Sequence, residues 1–359
     1  MDYPTDLSGL PLEVLVHMAL QMDIPEVLAF CKLSKRINRK VCRRKHFWKL
    51  LLKKDNLDIP AELIYKNEKF NWLLYFIMKY PKKEWFWFEL SSNPNITWEI
   101  IQTYPKLNWR WDGISRNSNI TWEIIQNNPD KPWNWFLLSK NPNITWEIIQ
   151  NNLTLPWDWE ALSLNPNITW DIVSKNLDKK WDWYYLSIHP NITWEIIQNN
   201  LTLPWDWAGL SRNPNITPEI IQNNLTLPWD WDFGISINPN ITWEFIQANR
   251  NKNWDWAGLS ENPIITWEII KKNPGIKWDW ERLSKNPNIT WGIVLNNPNE
   301  PWNWYGLSQN PNITWKIVRN NPDRPWKWRQ LSGNPNITWK IIYNNLDKNW
   351  SWEVLSSKR

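Results

Sequence analysis

Three histidines, two cysteines and 36 tryptophans are the residues of this 359-residue chain whose chemistry stands out. His17 and His46 lie near the start and His189 stands alone far downstream, so no two share the spacing of a metal site or an acid–base pair. Cys31 and Cys42 fall outside any Cys-x-x-Cys or Cys/His ligand pattern, which argues against a zinc site and a disulfide framework and points to a reducing compartment. No Gly-rich phosphate loop or nucleophile motif occurs, and the carboxylates recur where helices start. The chain is expected to be no enzyme and to need no cofactor or metal. Binding is the function class left.

The tryptophans carry the organisation. Thirty-two of the 36 occupy three positions, typified by Trp146, Trp157 and Trp159, of a 24-residue phrase that recurs eleven times between Leu90 and Val354. Its opening leucine or isoleucine falls at 90, 114, 138, 162, 186, 210, 235, 259, 283, 307 and 331, with one extra residue at Asp232-Phe233-Gly234. A period this short is the signature of a stacked array in which each unit buries its apolar face only against its neighbours. Base-stacking platforms or a carbohydrate-binding stripe are the functional readings of the tryptophans. Packing is preferred, because a buried Trp covers roughly 150–250 Å² and short helices need bulky side chains to stack.

Within one unit, Thr145 is placed to cap a helix beginning at Trp146, and Pro218 at the Trp position of another unit marks the first helical residue. Proline after Asn-Asn, at Pro129, Pro298 and Pro322, or after Lys-Asn, at Pro274, stops this helix A after about two turns. The residue between the two loop tryptophans is Asp, Asn or Ser in nine of eleven units, capping a shorter helix B, α or 3₁₀, that ends at Asn-Pro. The Asn-Ile-Thr and Asn-Leu-Thr sequons are assigned to this structure and carry no glycan in this reading. The opening Met1–Asp6 is acidic, unlike a secretory signal, and no apolar run is long enough for a membrane span, so a soluble intracellular protein is expected.

Two short helices per 24 residues, with Leu210–Ile221 reading Leu-Ser-Arg-Asn-Pro-Asn-Ile-Thr-Pro-Glu-Ile-Ile, resemble the leucine-rich variant repeat, in which α and 3₁₀ helices alternate in a superhelix. The fold expected is therefore all-α: a helical head over 1–55, a linker with a degenerate capping repeat over 56–89, and a solenoid of eleven two-helix units over 90–359. Phe70–Glu89 reads as the degenerate unit, while the far end shows no obvious cap.

A recognition surface belongs where the copies differ. These positions are the pair after the second loop tryptophan and the single residue after Leu-Ser, both on helix B. Leu164, Ile188 and Ile237 break an otherwise polar series beside Tyr184, Tyr185 and Phe233, and these six are the candidate target-binding residues.

The head does not repeat. Leu10, Pro11, Glu13, Leu15, Leu28, Leu33, Ser34, Lys35, Arg36, Trp48 and Leu51 follow in the order and spacing of an F-box, which this segment resembles. The resemblance implies a three-helix module that docks on Skp1 through Leu10, Pro11, Glu13, Leu15, Leu28 and Leu33, and through it on a cullin ubiquitin ligase, with the repeats holding the target. An F-box joined to near-identical short repeats is similar to proteins of large DNA viruses of amoebae, which implies the host cytoplasm or nucleus. Residues 1–83 carry 16 Lys/Arg against 9 Asp/Glu while the remainder carries 25 against 27, so the head is basic and the array near neutral. That balance disfavours the alternative of a nucleic-acid-binding solenoid. A repeat scaffold without a ligase role is the other alternative.

Overall fold

The structure, a computed structural model, describes Leu7 and residues 10–359. The acidic opening Met1–Asp6 lies outside the described residues. The head folds as α1 (Leu12–Gln21), α2 (Ile24–Lys32), α3 (Lys35–Ile37) continuing into a π turn (Asn38–Cys42), and α4 (Lys45–Lys53). Asp23 and Glu26 start α2 with a reciprocal capping box, and Ser34 caps α3. Four helical segments thus stand where three were expected, because the third breaks at the π turn. Phe30, Ile37, Val41, Trp48 and Leu52 fill the core, and Trp48 Nε1 donates to the Cys42 carbonyl at 2.6 Å.

The cysteines correct an expectation. The last turn of α2 and the π turn lie side by side, which brings the Cα atoms of Cys31 and Cys42 to 5.9 Å, and the two are joined in a disulfide. The all-α reading holds except for one hairpin after α5 (Ala61–Ile64), in which β1 (Tyr65–Lys66) pairs antiparallel with β2 (Lys69–Phe70). Asn67 and Glu68 make its turn at positive φ, 51° and 63°.

The array then follows its caps. Thr145 Oγ1 accepts from the Ile148 amide to open helix A (Trp146–Asn151), and Asp158 Oδ1 accepts from Ala161 at 2.7 Å to open helix B. Helix B is α-helical in every unit except after the extra residue. There Trp231–Gly234 forms a turn, a 3₁₀ helix (Ile235–Ile237) replaces the α-helix, and Phe233 is pushed to 61 % exposure. The loop tryptophan is buried in most units: Trp157 Nε1 donates to the Asn152 carbonyl at 2.9 Å, and its ring meets Trp135 of the preceding unit edge-on at 5.0 Å. The tryptophans form the core between units.

Polar contacts between units are equally regular. The buried Asn165 amide donates to the carbonyls of Ser139, Asn141 and Ile144 in the preceding unit at 2.8, 3.2 and 3.1 Å. Asn167, in a sequon, donates to Pro142 and Ile144 at 2.8 and 3.0 Å. Ser139 Oγ accepts the Asp158 amide at 3.0 Å. Among the described residues no buried side-chain polar atom lacks a partner, so this ladder meets the demand that burial imposes on polar groups.

The ladder does not end; it closes. Phe86 N–H donates to Ser356 Oγ at 2.9 Å, as Arg110 does to Ser91 at 2.9 Å. Asn93 donates to Ser356 and Lys358 carbonyls at 3.0 and 3.1 Å, as Asn117 does to Ser91 and Asn93 at 2.9 and 3.0 Å. Trp85 meets Trp352 edge-on at 5.0 Å, as Trp133 meets Trp111 at 5.2 Å. The degenerate unit, built of α6 (Trp72–Lys79) and α7 (Trp87–Ser92), therefore receives the eleventh unit in the register used everywhere else, and twelve units form a ring turning roughly 30° each. The far end, which shows no cap in the sequence, is capped by the near one. Asp55 of the head braces this seam, accepting from Tyr75 at 2.6 Å and Lys79 at 2.7 Å, while Tyr343 of the eleventh unit packs against Trp72 and Tyr75.

Candidate functional site

Most successive B helices pack directly on one another, whereas successive A helices stand further apart. In a closed ring the elements with the shorter step lie at the smaller radius, so helix B lines the inner circumference. Packed helices sit about 8–10 Å apart, so twelve of them enclose a bore on the order of 20 Å once their own width is removed.

The step between B helices is set by one position. It is glycine or alanine in six units and larger in the other six: Glu89, Gly113, Leu137, Ala161, Tyr185, Gly209, Gly234, Gly258, Arg282, Gly306, Gln330, Val354. At Gly306 a Cβ would lie 2.2 Å from the Glu281 carbonyl oxygen, and at Gly113 one would lie 2.5 Å from that of Phe88. Only glycine admits the neighbouring backbone there.

The residue after the second loop tryptophan and the residue after Leu-Ser are four apart on helix B, so they share one helix face and form two parallel rows along the ring. In the first half of the ring the pairs are Asp112/Arg116, Phe136/Lys140, Glu160/Leu164, Tyr184/Ile188 and Ala208/Arg212, followed by Phe233 and Ile237 at the bulge. In the second half they are mainly charged and paired with one another: Glu261 with Lys285 at 2.6 Å and Arg329 with Glu353 at 2.5 Å.

All six expected target-binding residues fall on the first arc. Leu164, Tyr184, Tyr185 and Ile188 are half-buried, and Phe233 and Ile237 are exposed. Sequence reasoning missed their partners. Lys140 Nζ lies 3.7 Å from the Phe136 ring centroid, and Arg212 donates to Tyr184 Oη at 2.7 Å and to the Phe233 carbonyl at 3.2 Å. The i, i+4 spacing of the variable positions is the signal that finds the Phe136–Lys140 pair; the Arg212 contacts cross between units and have no such signal. Across the whole ring the two rows mix five cations, at 116, 140, 212, 285 and 329, with six anions, at 112, 160, 232, 261, 281 and 353, and so form no continuous cationic track for a phosphate backbone.

On the head, Leu33 at 56 % and Val14 at 41 % are exposed, as are Pro11 and Glu13, while Leu10 and Leu28 are partly buried against the core. Arg36 ties the α2–α3 corner that bears Leu33 to the entry of α1, donating to the carbonyls of Leu7 and Leu10 at 3.2 and 2.8 Å. Leu15 is a correction: it is fully buried and belongs to the head's core, with no surface to offer a partner. No metal-ligating cluster of His, Cys, Asp or Glu occurs among the described residues, and none of their helices is long and apolar enough to cross a membrane. Compared with known proteins, the chain matches no family model, no curated protein and no solved structure.

Proposed function

We propose that this protein is a substrate adaptor of a Skp1–cullin ubiquitin ligase, in which the head binds Skp1 and the inner face of the ring holds the protein to be modified. The observation that carries the reading is the head's exposed corner: Leu33 projects apolar surface beside the α1 entry that carries Pro11 and Glu13, in a module whose other large apolar residues are mostly buried. The order and spacing of the F-box-like residues from Leu10 to Leu51 support it from the sequence side. The same reading puts the protein in the cytoplasm or nucleus, the host's for a protein of a large DNA virus.

The test is retention of purified Skp1 by the full-length protein and by a Leu33→Glu variant, which leaves the head's core untouched. Wild type retaining Skp1 and the variant losing it about tenfold or more is the expected result, since a buried interface anchor is worth a few kcal/mol. Folded wild type that retains no Skp1 overturns the proposal.

A further inference from the structure

On the inner row after Leu-Ser, the first half of the ring carries cations that no ion pair neutralises. That half presents Arg116, Lys140, Leu164, Ile188, Arg212 and Ile237 in succession. Among the described residues Arg116, Lys140 and Arg212 form no salt bridge; they rest instead on the Phe88 ring at 6.0 Å, the Phe136 ring at 3.7 Å and the Tyr184 hydroxyl at 2.7 Å. The second half of the ring neutralises itself, through Lys285 with Glu261 and Arg329 with Glu353. Lys140 also feels the mismatch. Burial pushes its ammonium below the ordinary lysine range; Asp158 opposes this, but is already engaged in capping Ala161, and the like charge of Arg116 adds to it.

We infer that this row binds an extended peptide segment whose acidic side chains meet Arg116, Lys140 and Arg212 and whose aliphatic side chains pack on Leu164, Ile188 and Ile237. Two features argue for that occupant. Charge complementarity calls for carboxylates opposite Arg116, Lys140 and Arg212, which among the described residues form no salt bridge although Asp112, Glu160 and Asp232 lie on the parallel row, Asp112 being engaged by Arg110. A polyproline-II chain brings every third side chain to one face at a step of about 9 Å, which matches the about 8–10 Å between packed helices, so one peptide side chain meets each unit. The proposal rests on the inner face being the target-holding surface and names the class of segment it holds.

Fluorescence polarisation on the isolated full-length protein, with no Skp1 present, tests it independently of the ligase reading. The probe is a fluorescein-labelled peptide with Asp, Asp, Leu, Leu, Asp and Leu at every third position in a Pro/Ser background; the control carries Lys in place of Asp. The acidic peptide is expected to bind wild type, and the double variant Arg116→Glu/Lys140→Glu to bind it at least about tenfold more weakly while gaining affinity for the lysine peptide. Lys285→Glu, on the opposite arc, is expected to leave binding unchanged. Equal binding of the two peptides by wild type, no binding of either, or undiminished binding of the acidic peptide by the double variant overturns the inference.

Discussion

The ammonium of Lys358 lies 3.2 Å from the carbonyl oxygen of Asn334 and 3.2 Å from that of Ser332. These are the equivalents of the carbonyls that Asn334 itself engages one unit earlier, at Asn310 and Ser308. A lysine thus does an asparagine's work in the last chain-connected step of the ladder, and its own carbonyl then receives Asn93 across the one junction of the ring whose two sides are not joined by consecutive chain. Closure removes both exposed ends, the surfaces that a stacked array otherwise has to cover with polar capping units.

Lys358→Asn is expected to keep the ring closed, because it restores the ladder residue, whereas Lys358→Glu sets a carboxylate against two carbonyl oxygens and is expected to open the seam at about 1–3 kcal/mol. Small-angle scattering reads the outcome as an unchanged radius of gyration in the first variant and a larger one in the second. The wild-type pH dependence follows from the same group. Burial lowers the Lys358 ammonium to about 8, so between there and the ordinary lysine value the unfolded chain holds a proton that the folded chain lacks, and stability rises with pH through that window. Tyr75, Tyr80, Tyr104 and Tyr343 are all raised, first by burial, so above about pH 10 the unfolded chain ionises first and stability falls. Urea midpoints should climb above about pH 8 and turn over near pH 10, and Lys358→Asn should remove the climb.

The elements were legible in the sequence because each answers a local demand. Thr145 and Asp158 cap free amides, Pro218 fits only a first turn, and the Asn-Pro pairs cannot continue a helix. The six candidate target-binding residues were legible as the places where copies differ. Closure was not, because it depends on the sum of twelve small rotations and on two imperfect copies: the unit of α6 and α7, and the segment from Leu355 onward in which Lys358 stands for asparagine. The disulfide was hidden for a similar reason. Cys31 and Cys42 have no motif, and only the π turn after α3 brings them together.

His189 is the second departure from the asparagine ladder. Its Nε2 reaches a single carbonyl, that of Asn165 at 3.2 Å, where Asn213 in the next unit reaches three. Burial pushes the imidazole below its ordinary range, partly offset by that hydrogen bond, so the folded chain takes up its proton later than the unfolded chain as pH falls, and stability drops below about pH 6.5. His189→Asn is expected to raise stability by about 1 kcal/mol through the regained hydrogen bonds and to flatten the acid side of the profile. Guanidinium melts at about pH 7 and about pH 5 check both effects, and a variant less stable than wild type at neutral pH rejects the account.

The glycines of helix B separate two kinds of close approach, and substitution should rank them. At Gly306 the added methyl meets the Glu281 backbone, whose oxygen would be 2.2 Å away and cannot move without shifting the neighbouring helix. At Gly258 the nearest atom is an Asp255 carboxylate oxygen at 2.5 Å, on a side chain that makes no capping hydrogen bond and is free to swing aside. At Gly275 nothing lies within 4 Å. Overpacking costs about 1–3 kcal/mol, while alanine in place of glycine returns up to about 1 kcal/mol in helix propensity or unfolded-state entropy. Gly306→Ala should therefore be destabilised by about 2 kcal/mol, Gly258→Ala should sit near zero, and Gly275→Ala should match or slightly exceed wild type in denaturant midpoint. If Gly306→Ala is as stable as Gly275→Ala, the B helices do not approach as closely as the inner circumference of a closed twelve-unit ring requires, and the ring is wider or open in solution.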